Sequence, residues 1–325
     1  MKRGILEGII PDEIIKSDNR NWNIILIKSL DIWCEFAFSE NIFSEYRDKI
    51  KEQIIKSIYP EDDFDRFPIY YISTRPKTRF LKTLKFMRSN RRHIYLPFIE
   101  GIIPSVLSLE VEHLARIVGI DCSLGIKIFV DPKYLICFNS TELKVISIYD
   151  LLYRAGYKFK FKNSIQYIGY TENPDKRPFS GTHAGLTQIL YDFYDKKKED
   201  AFINYQQFHV TSFFVKREFG IVIQGSNTML NEIDIKTESK IIEASLIRYY
   251  IEDRRKNYRR EMKYLKNRLS EELSKLNIKS INYTIDYDFS KSMFKYKDFR
   301  VSKSGITYFN IADSDNGILL TTSSS

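Results

Sequence analysis

Apolar residues occur along the chain in long runs and in short runs, and each kind of run predicts a different element. Long apolar-rich runs at residues 21–38 and 39–59 predict two helices. Shorter runs rich in aromatic and β-branched residues predict strands. The strand candidates are residues 67–73, 94–99, 126–130, 134–138, 208–216, 281–289 and 305–311. The sequence therefore predicts a mixture of helices and strands.

Helix boundaries are marked by capping residues. Ser147 is expected to cap a helix over residues 148–155, and Gly156 stands where a left-handed helix end is common. Thr237 is expected to cap a long helix that continues to about residue 276. Further predicted helices are a basic one at residues 77–92, an amphipathic one at 108–118 and one at 184–194.

Residues 157–171 have the pattern of a β-hairpin. Aromatic residues and lysines alternate over 157–162, Asn163-Ser164 supplies a turn, and residues 165–171 form the returning strand. Tyr167-Ile168-Gly169 lies on that second strand.

Composition limits the class of protein without identifying it. The chain has 325 residues, 43% hydrophobic and 29% charged, which is ordinary for a folded protein. Its formal charge of +9 favours a polyanionic partner such as nucleic acid. Cys34, Cys122 and Cys137 have no metal-ligand spacing and are expected to stay reduced. With no signal peptide or membrane span in the sequence, we expect a soluble, cytoplasmic protein.

Four further residues follow the Tyr-Ile-Gly strand in a suggestive order. They are Arg177, His183, Glu243 and Asn257. With Tyr167-Ile168-Gly169, they resemble the GIY-YIG nuclease superfamily over residues 156–260, about a third of the chain. The resemblance implies a hairpin carrying two short motifs, then an arginine, a histidine or tyrosine, a helical glutamate and a later asparagine.

The first of the two hairpin motifs is degenerate in this chain. Position points to Gly156-Tyr157-Lys158-Phe159, whereas Ser147-Ile148-Tyr149 fits better by letters but lies too far upstream, in a predicted helix. We therefore assign Tyr157 to the site. If neither tyrosine serves, either His183 is the base or the protein is inactive.

The resemblance implies metal-assisted phosphodiester hydrolysis, and the residue types suit that chemistry. Glu243 would hold one Mg²⁺ or Mn²⁺, which would stabilise the leaving oxygen. Arg177 would bind the non-bridging phosphate oxygens. Tyr157 or His183 would deprotonate the attacking water. Tyr167 would hydrogen-bond the phosphate or the water, and Asn257 would orient Glu243.

Two basic stretches are expected to contact the nucleic-acid backbone. Their candidate contact residues are Arg75, Lys77, Arg79, Lys82, Lys85 and Arg88 in the first stretch and Arg254, Arg255 and Arg259 in the second. A solvated helix face explains the first stretch nearly as well. The motif residues also have ordinary alternatives: Tyr167 suits a packed strand, Arg177 and His183 suit a solvated surface, and Glu243 suits a salt bridge.

Together these patterns predict an α+β protein with a small GIY-YIG-type sheet, flanking helices and a mixed α/β N-terminal domain. The predicted domains are a basic, nucleic-acid-binding one at 1–140, a nuclease domain at 141–262, and a C-terminal extension at 263–325 ending in a disordered tail. The predicted function is a metal-dependent DNA endonuclease of restriction or phage defence, working as a homodimer if it cuts both strands. RNA is the alternative substrate, and a non-catalytic nucleic-acid-binding protein is the alternative function.

Overall fold

The computed structural model describes residues 4–5, 8, 19–35, 52, 56, 66–81, 87–88, 93–174, 199–216, 221–250, 268–296, 306–314 and 317–322. These described residues are mostly β, with 51% of them in strands and 23% in helices. The strands are β1 (Arg20–Trp33), β2 (Ile69–Pro76), β3 (Thr78–Phe80), β4 (Met87–Arg88), β5 (His93–Glu100), β6 (Ile103–Glu110), β7 (Lys127–Val130), β8 (Tyr134–Phe138), β9 (Leu143–Ser147), β10 (Ser164–Tyr170), β11 (Glu199–Lys216), β12 (Ile221–Ser226), β13 (Ile278–Asp286), β14 (Ile306–Ser314) and β15 (Gly317–Thr322). The helices are α1 (Val111–Val118), α2 (Ile148–Arg154), α3 (Asn227–Leu230) and α4 (Ile235–Tyr250), and residues 268–275 are also helical.

One large sheet dominates the described residues. It runs in the order β10-β2-β11-β1-β13-β14-β15, with β12 also paired to β11, and it curls into a half-barrel. Strands β1 and β13 are parallel, and the other neighbouring strands are antiparallel. Two smaller sheets have the orders β3-β5-β6 and β4-β7-β8-β9. The predicted α+β fold, with a small GIY-YIG-type sheet, flanking helices and a mixed α/β N-terminal domain, is therefore wrong.

The predicted hairpin over residues 157–171 does not form. Strand β10 is present, but its antiparallel partner is β2, with Ile168 opposite Tyr71 and Tyr170 opposite Ile69. Residues 157–162 belong to no strand. The Asn163-Ser164 turn does not decide the pairing of β10, because β2 shares a buried apolar face with it.

Strands from all three predicted domains meet in the large sheet. Strands β1 and β2 come from residues 1–140, β10 to β12 from 141–262, and β13 to β15 from 263–325. Backbone hydrogen bonds between these strands therefore join the three ranges within one sheet.

Strand β1 corrects the helix predicted at residues 21–38. Trp22, Ile24 and Leu26 are buried while the residues between them are more exposed, which is the two-residue period of a strand. These three side chains pack in one core with Tyr71 of β2 and Ile241 of α4. A continuous apolar run fits either a helix or a buried strand, and here the β-branched isoleucines favour the strand.

Several shorter predictions are confirmed. Strands β5 and β11 cover the predicted residues, β2 covers 69–73 of the strand predicted at 67–73, and β7 and β8 pair as expected. Strand β13 confirms residues 281–286 of the strand predicted at 281–289, whose last three residues form a turn, and β14 confirms 306–311 of the strand predicted at 305–311. Helix α2 is capped by Ser147, whose side chain accepts a hydrogen bond from the Asp150 amide, and Gly156 has a φ of 77°.

Other elements differ from the prediction. Part of the basic helix predicted at 77–92 is strand, as β3 and β4, and the helix predicted from residue 108 starts only at Val111. Residues 321–322 of the predicted disordered tail lie in β15. Asp234, and not Thr237, accepts the first amides of α4. Residues 184–194, 251–267 and most of 39–59 lie outside the described residues.

Two simpler expectations concern cysteines and membranes. Cys34, Cys122 and Cys137 form no disulfide, which confirms the prediction for these thiols. Within the described residues, no helix has both the length and the apolar character needed to cross a membrane.

Gly169 has a packing reason to be glycine. A Cβ at this position would lie 2.8 Å from Cζ of Tyr70 and 2.9 Å from Cε1 of Tyr167. The rings of Tyr70 and Tyr167 pack with centroids 5.8 Å apart, and Tyr70 is fully buried. The glycine of the Tyr-Ile-Gly motif thus leaves room for a buried tyrosine on the neighbouring strand.

Replacing Gly169 by alanine should destabilise the protein by about 1–3 kcal/mol, because the new methyl group overpacks a buried site. Without that clash, alanine inside a strand would be favoured over glycine by about 0.5–1 kcal/mol. Urea unfolding of Gly169→Ala in the wild-type and Tyr70→Leu backgrounds measures the difference. An equal cost in both backgrounds would contradict the packing explanation.

Candidate nucleic-acid interface

Tyr157, the predicted catalytic tyrosine, is bound to a buried carboxylate. Its hydroxyl donates a hydrogen bond to Oε2 of Glu100 at 2.9 Å. Burial raises the pKa of Tyr157 above its ordinary value, and the hydrogen bond to Glu100 raises it further. The hydroxyl is therefore held in its protonated form, which does not suit a base that takes a proton from water.

Tyr167 and Glu243 lie on opposite sides of the large sheet. Tyr71 of β2 contacts Tyr250 of α4, with ring centroids 5.9 Å apart, so α4 covers the face that holds Tyr71. Tyr70 points to the other face because side chains alternate along a strand, and Tyr167 packs against Tyr70. The sheet therefore separates these two predicted catalytic residues.

Glu243 lies in a cleft between α4 and the helical residues 268–275. The cleft is also lined by Lys240, Arg268 and Glu272, so two carboxylates and two cations share it. Within the part of the chain that the structure describes, no group of three or more histidine, cysteine, aspartate or glutamate side chains is arranged to hold a metal ion. The predicted catalytic residues Arg177, His183 and Asn257 lie outside that part.

A buried ion pair between Arg75 and Glu100 brings together two of the predicted site residues, Arg75 and Tyr157. Arg75 has no exposed surface, and its Nη2 donates to Oε1 of Glu100 at 2.5 Å. A fully buried guanidinium has no surface to offer a phosphate, so the prediction that Arg75 contacts nucleic acid is wrong. Glu100 also accepts the backbone amides of Lys160 at 3.0 Å and Phe161 at 3.2 Å.

Aromatic rings form a corner around the Arg75 guanidinium. The rings of Phe159 and Phe294 each lie 4.4 Å from its Cζ, and their centroids are 5.0 Å apart. Tyr149 lies at 5.6 Å. Contact with ring faces stabilises a cation that has been removed from water. Arg75 therefore anchors two separate chain segments, one carrying Phe159 and the other Phe294.

A second buried carboxylate, Asp200, holds Arg79. The two guanidinium nitrogens of Arg79 donate to the two oxygens of Asp200 at 2.6 and 2.7 Å, and the Tyr149 hydroxyl donates to Oδ2 at 2.5 Å. Arg79 also lies 3.6 Å from Glu35, and its side chain is only 20% exposed. The Arg79 guanidinium is thus paired with carboxylates of the fold, and its contact with nucleic acid stays a prediction.

The other residues predicted to contact the nucleic-acid backbone are not part of these buried pairs. Lys77 is partly exposed beside β3, and Arg88 lies in the short strand β4. The others lie outside the described residues: Lys82, Lys85, Arg254, Arg255 and Arg259. Their role stays a prediction.

The segment pinned by Glu100 carries lysines on its outer side. Over residues 157–162, the aromatic side chains are partly buried and the lysines between them are exposed, which matches the predicted two-residue alternation although no strand forms. The exposed residues are Lys158, Lys160 and Lys162. Tyr157 and Phe159 face inward, so their rings are used for packing and are not presented to a ligand.

A second lysine-bearing segment lies beside the first. The Asn163 amide donates to the Lys295 carbonyl at 2.8 Å, and Lys291 and Lys295 are exposed while Phe294 and Tyr296 are buried. We call the five exposed residues the lysine ridge. They are Lys158, Lys160, Lys162, Lys291 and Lys295.

Another buried carboxylate positions this second segment. Asp31 of β1 accepts the Met293 amide at 2.5 Å, the Ser292 hydroxyl at 3.1 Å and the Tyr296 hydroxyl at 3.2 Å. It also accepts the Asn204 amide group at 2.6 Å. Burial raises the pKa of Asp31, and these hydrogen bonds act in the opposite direction. Each lysine-bearing segment is thus held from beneath by one buried acid.

The ridge has little negative charge to offset its lysines. No acidic residue occurs in residues 153–163 or 289–296. Asp288 ion-pairs with Lys295 at 3.0 Å at one margin, and the Lys160 ammonium donates to the Ser105 hydroxyl at 3.1 Å. The ridge is therefore a cationic surface carried on a backbone that is fixed by hydrogen bonds.

Sequence reasoning missed Glu100, Asp200 and Asp31 as organising residues. Glu100 had a readable signal, because Ile94, Leu96 and Phe98 point inward at every second position of β5 and Glu100 continues that series. A carboxylate on an inward position requires a partner. Asp31 and Asp200 had no such signal, because their burial depends on strands far apart in sequence.

Comparison of the chain with protein-family models, curated proteins and solved structures finds no match. The function must therefore be argued from the surfaces of the molecule itself.

Removing the Glu100 carboxylate should destabilise the protein strongly. In Glu100→Ala, Arg75 stays buried without its partner and two amides lose their acceptor, so the expected cost is about 3–5 kcal/mol. Glu142→Ala is a matched control, because it breaks the exposed pair with Lys144 and should cost less than about 1 kcal/mol. Urea unfolding compares them, and similar costs would show that the Arg75–Glu100 pair does not hold the segment in place.

Proposed function

We propose that this protein binds nucleic acid through the sugar-phosphate backbone, using the lysine ridge as its contact surface. The carrying observation is the ridge itself, five exposed lysines on two adjoining segments, with Asp286 and Asp288 at the turn on one margin. The overall charge of +9 acts in the same direction. Lysine ammonium groups contact phosphate as point charges and carry no base-specific pattern.

The backbone that carries these lysines is preorganised by buried carboxylates. Glu100 fixes residues 157–161 by accepting two backbone amides and one hydroxyl, and Asp31 fixes residues 292–296 by accepting one backbone amide and two hydroxyls. Because the backbone of these segments is already fixed, binding a polyanion costs less conformational entropy than it would on a mobile loop. Binding should be tolerant of sequence and sensitive to salt, since released counterions supply most of the affinity.

Neutralising the ridge should weaken binding and flatten its dependence on salt. The variant Lys158→Gln/Lys162→Gln/Lys291→Gln removes up to three phosphate contacts, so the slope of log affinity against log salt should fall by about 2 to 3. Fluorescence anisotropy of a labelled oligonucleotide at several salt concentrations measures this slope.

The matched control lowers the net charge equally at exposed or half-buried lysines elsewhere. Lys127→Gln/Lys144→Gln/Lys279→Gln changes residues of β7, β9 and β13 that lie outside the ridge. Its binding should change much less. Equal losses in the two triple variants would mean that net charge, and not the ridge, drives binding.

Metal-dependent DNA cleavage is a second candidate, favoured by the cleft that holds Glu243 and Glu272. One or two carboxylates are enough for Mg²⁺ when substrate phosphates and waters complete its shell. Restriction or phage defence, and a homodimer that cuts both strands, belong to this candidate. Arg177, His183 and Asn257 remain its predicted partners.

Supercoiled-plasmid nicking with Mg²⁺ or EDTA tests cleavage. If the second candidate holds, wild type nicks only with metal and Glu243→Ala loses nicking by at least about 100-fold while still binding DNA, because only the metal ligand is removed. Glu142→Ala, which changes an exposed glutamate in the turn between β8 and β9, should retain wild-type nicking. Absence of nicking by wild type, with salt-sensitive binding retained, leaves the backbone-binding function alone.

A further inference from the structure

Phe289 is an exposed aromatic residue held out by a rigid turn. Its side chain is 67% exposed, in the turn that follows β13. Oδ1 of Asp286 accepts the amides of Asp288 and Phe289, each at 2.9 Å. The Asp286 and Tyr287 carbonyls accept the amides of Ser290 at 3.1 Å and Ser292 at 3.0 Å. Exposure of the ring therefore follows from a hydrogen-bonded backbone.

The same turn adjoins the lysine ridge. Asp288 ion-pairs with Lys295 at 3.0 Å, and Lys291 follows Phe289 by two residues. A second exposed ring lies nearby, because the Tyr153 hydroxyl donates to the Lys291 carbonyl at 3.0 Å and Tyr153 is 37% exposed. Cationic and aromatic groups thus meet on one surface.

We infer that this surface takes single-stranded nucleic acid, with a base stacked on Phe289 and the backbone on the lysine ridge. This inference rests on the proposed backbone-binding function and specifies its ligand. Cations that follow a backbone, combined with rings that accept base faces, are the features with which proteins bind single strands. In a duplex the base faces are already stacked on one another, so Phe289 would have no face to contact.

The inward-facing rings of the ridge do not serve this purpose. Phe159 and Phe294 pack against the buried Arg75, and Tyr157 donates to Glu100. Among the described residues of this surface, stacking therefore depends on the two rings that face solvent, Tyr153 and Phe289. Of these, Phe289 has the larger exposed fraction.

Substitution at Phe289 separates stacking from charge. Phe289→Leu keeps an apolar side chain but removes the ring, so affinity for a single strand should fall about 5- to 100-fold while duplex affinity is unchanged. Phe289→Trp should restore single-strand affinity to the wild-type level or above. Leu143→Ala removes an exposed apolar side chain on β9 and should leave both affinities unchanged.

Anisotropy titrations with one labelled sequence as single-stranded DNA, single-stranded RNA and duplex DNA provide the measurement. Single-stranded DNA and RNA should show the same loss of affinity, because both offer base faces to the ring. The strand that the wild-type protein binds more tightly then shows whether its ligand is DNA or RNA. An equal change for single strand and duplex in Phe289→Leu, or no change in either, would overturn the inference while leaving backbone binding intact. Wild type that binds none of the three would remove the proposed function and this inference with it.

Discussion

The buried pair between Arg75 and Glu100 is the interaction on which the candidate interface depends. Both side chains are fully buried, so each charge has lost its water and must be compensated within the protein. Glu100 accepts hydrogen bonds from a guanidinium, a tyrosine hydroxyl and two backbone amides, and Arg75 lies against two phenylalanine rings. Almost every group that compensates this pair comes from the segments that carry the exposed lysines.

This arrangement links stability to the outer surface. The inner side of residues 157–161 supplies ligands to Glu100 and rings to Arg75, and its outer side presents Lys158 and Lys160. An exposed lysine-rich loop would ordinarily fluctuate, since its charges repel and few apolar contacts hold it. Here, buried acids fix its backbone, so a change in the core is expected to alter binding without touching any residue that meets the ligand.

The sequence predicted single strands and helices better than it predicted which strands pair with each other. The strands at residues 94–99 and 126–138 and the capped helix at 148–155 depend on neighbouring residues, and they formed as expected. The helix at 21–38 was wrong because a continuous apolar run does not separate helix from buried strand. The hairpin at 157–171 was wrong because β10 pairs with β2, about 90 residues away. At the candidate site, the alternation of lysines and aromatic residues was readable, whereas the burial of Arg75, Arg79 and Asp31 depends on strands joined only in the folded chain.

The Tyr-Ile-Gly motif illustrates how packing can produce a catalytic-looking pattern. Ile168 fills the core beneath α4, Tyr167 packs against Tyr70, and Gly169 leaves space for the Tyr70 ring. Packing on one or the other face of the strand therefore explains each residue of the motif, and none of the three requires a substrate. A motif of this length gains functional weight only when its side chains meet the other predicted residues, and here the sheet stands between Tyr167 and Glu243. The candidate interface lies instead on residues 157–163 and 289–296, where buried acids fix the backbone of a cationic surface.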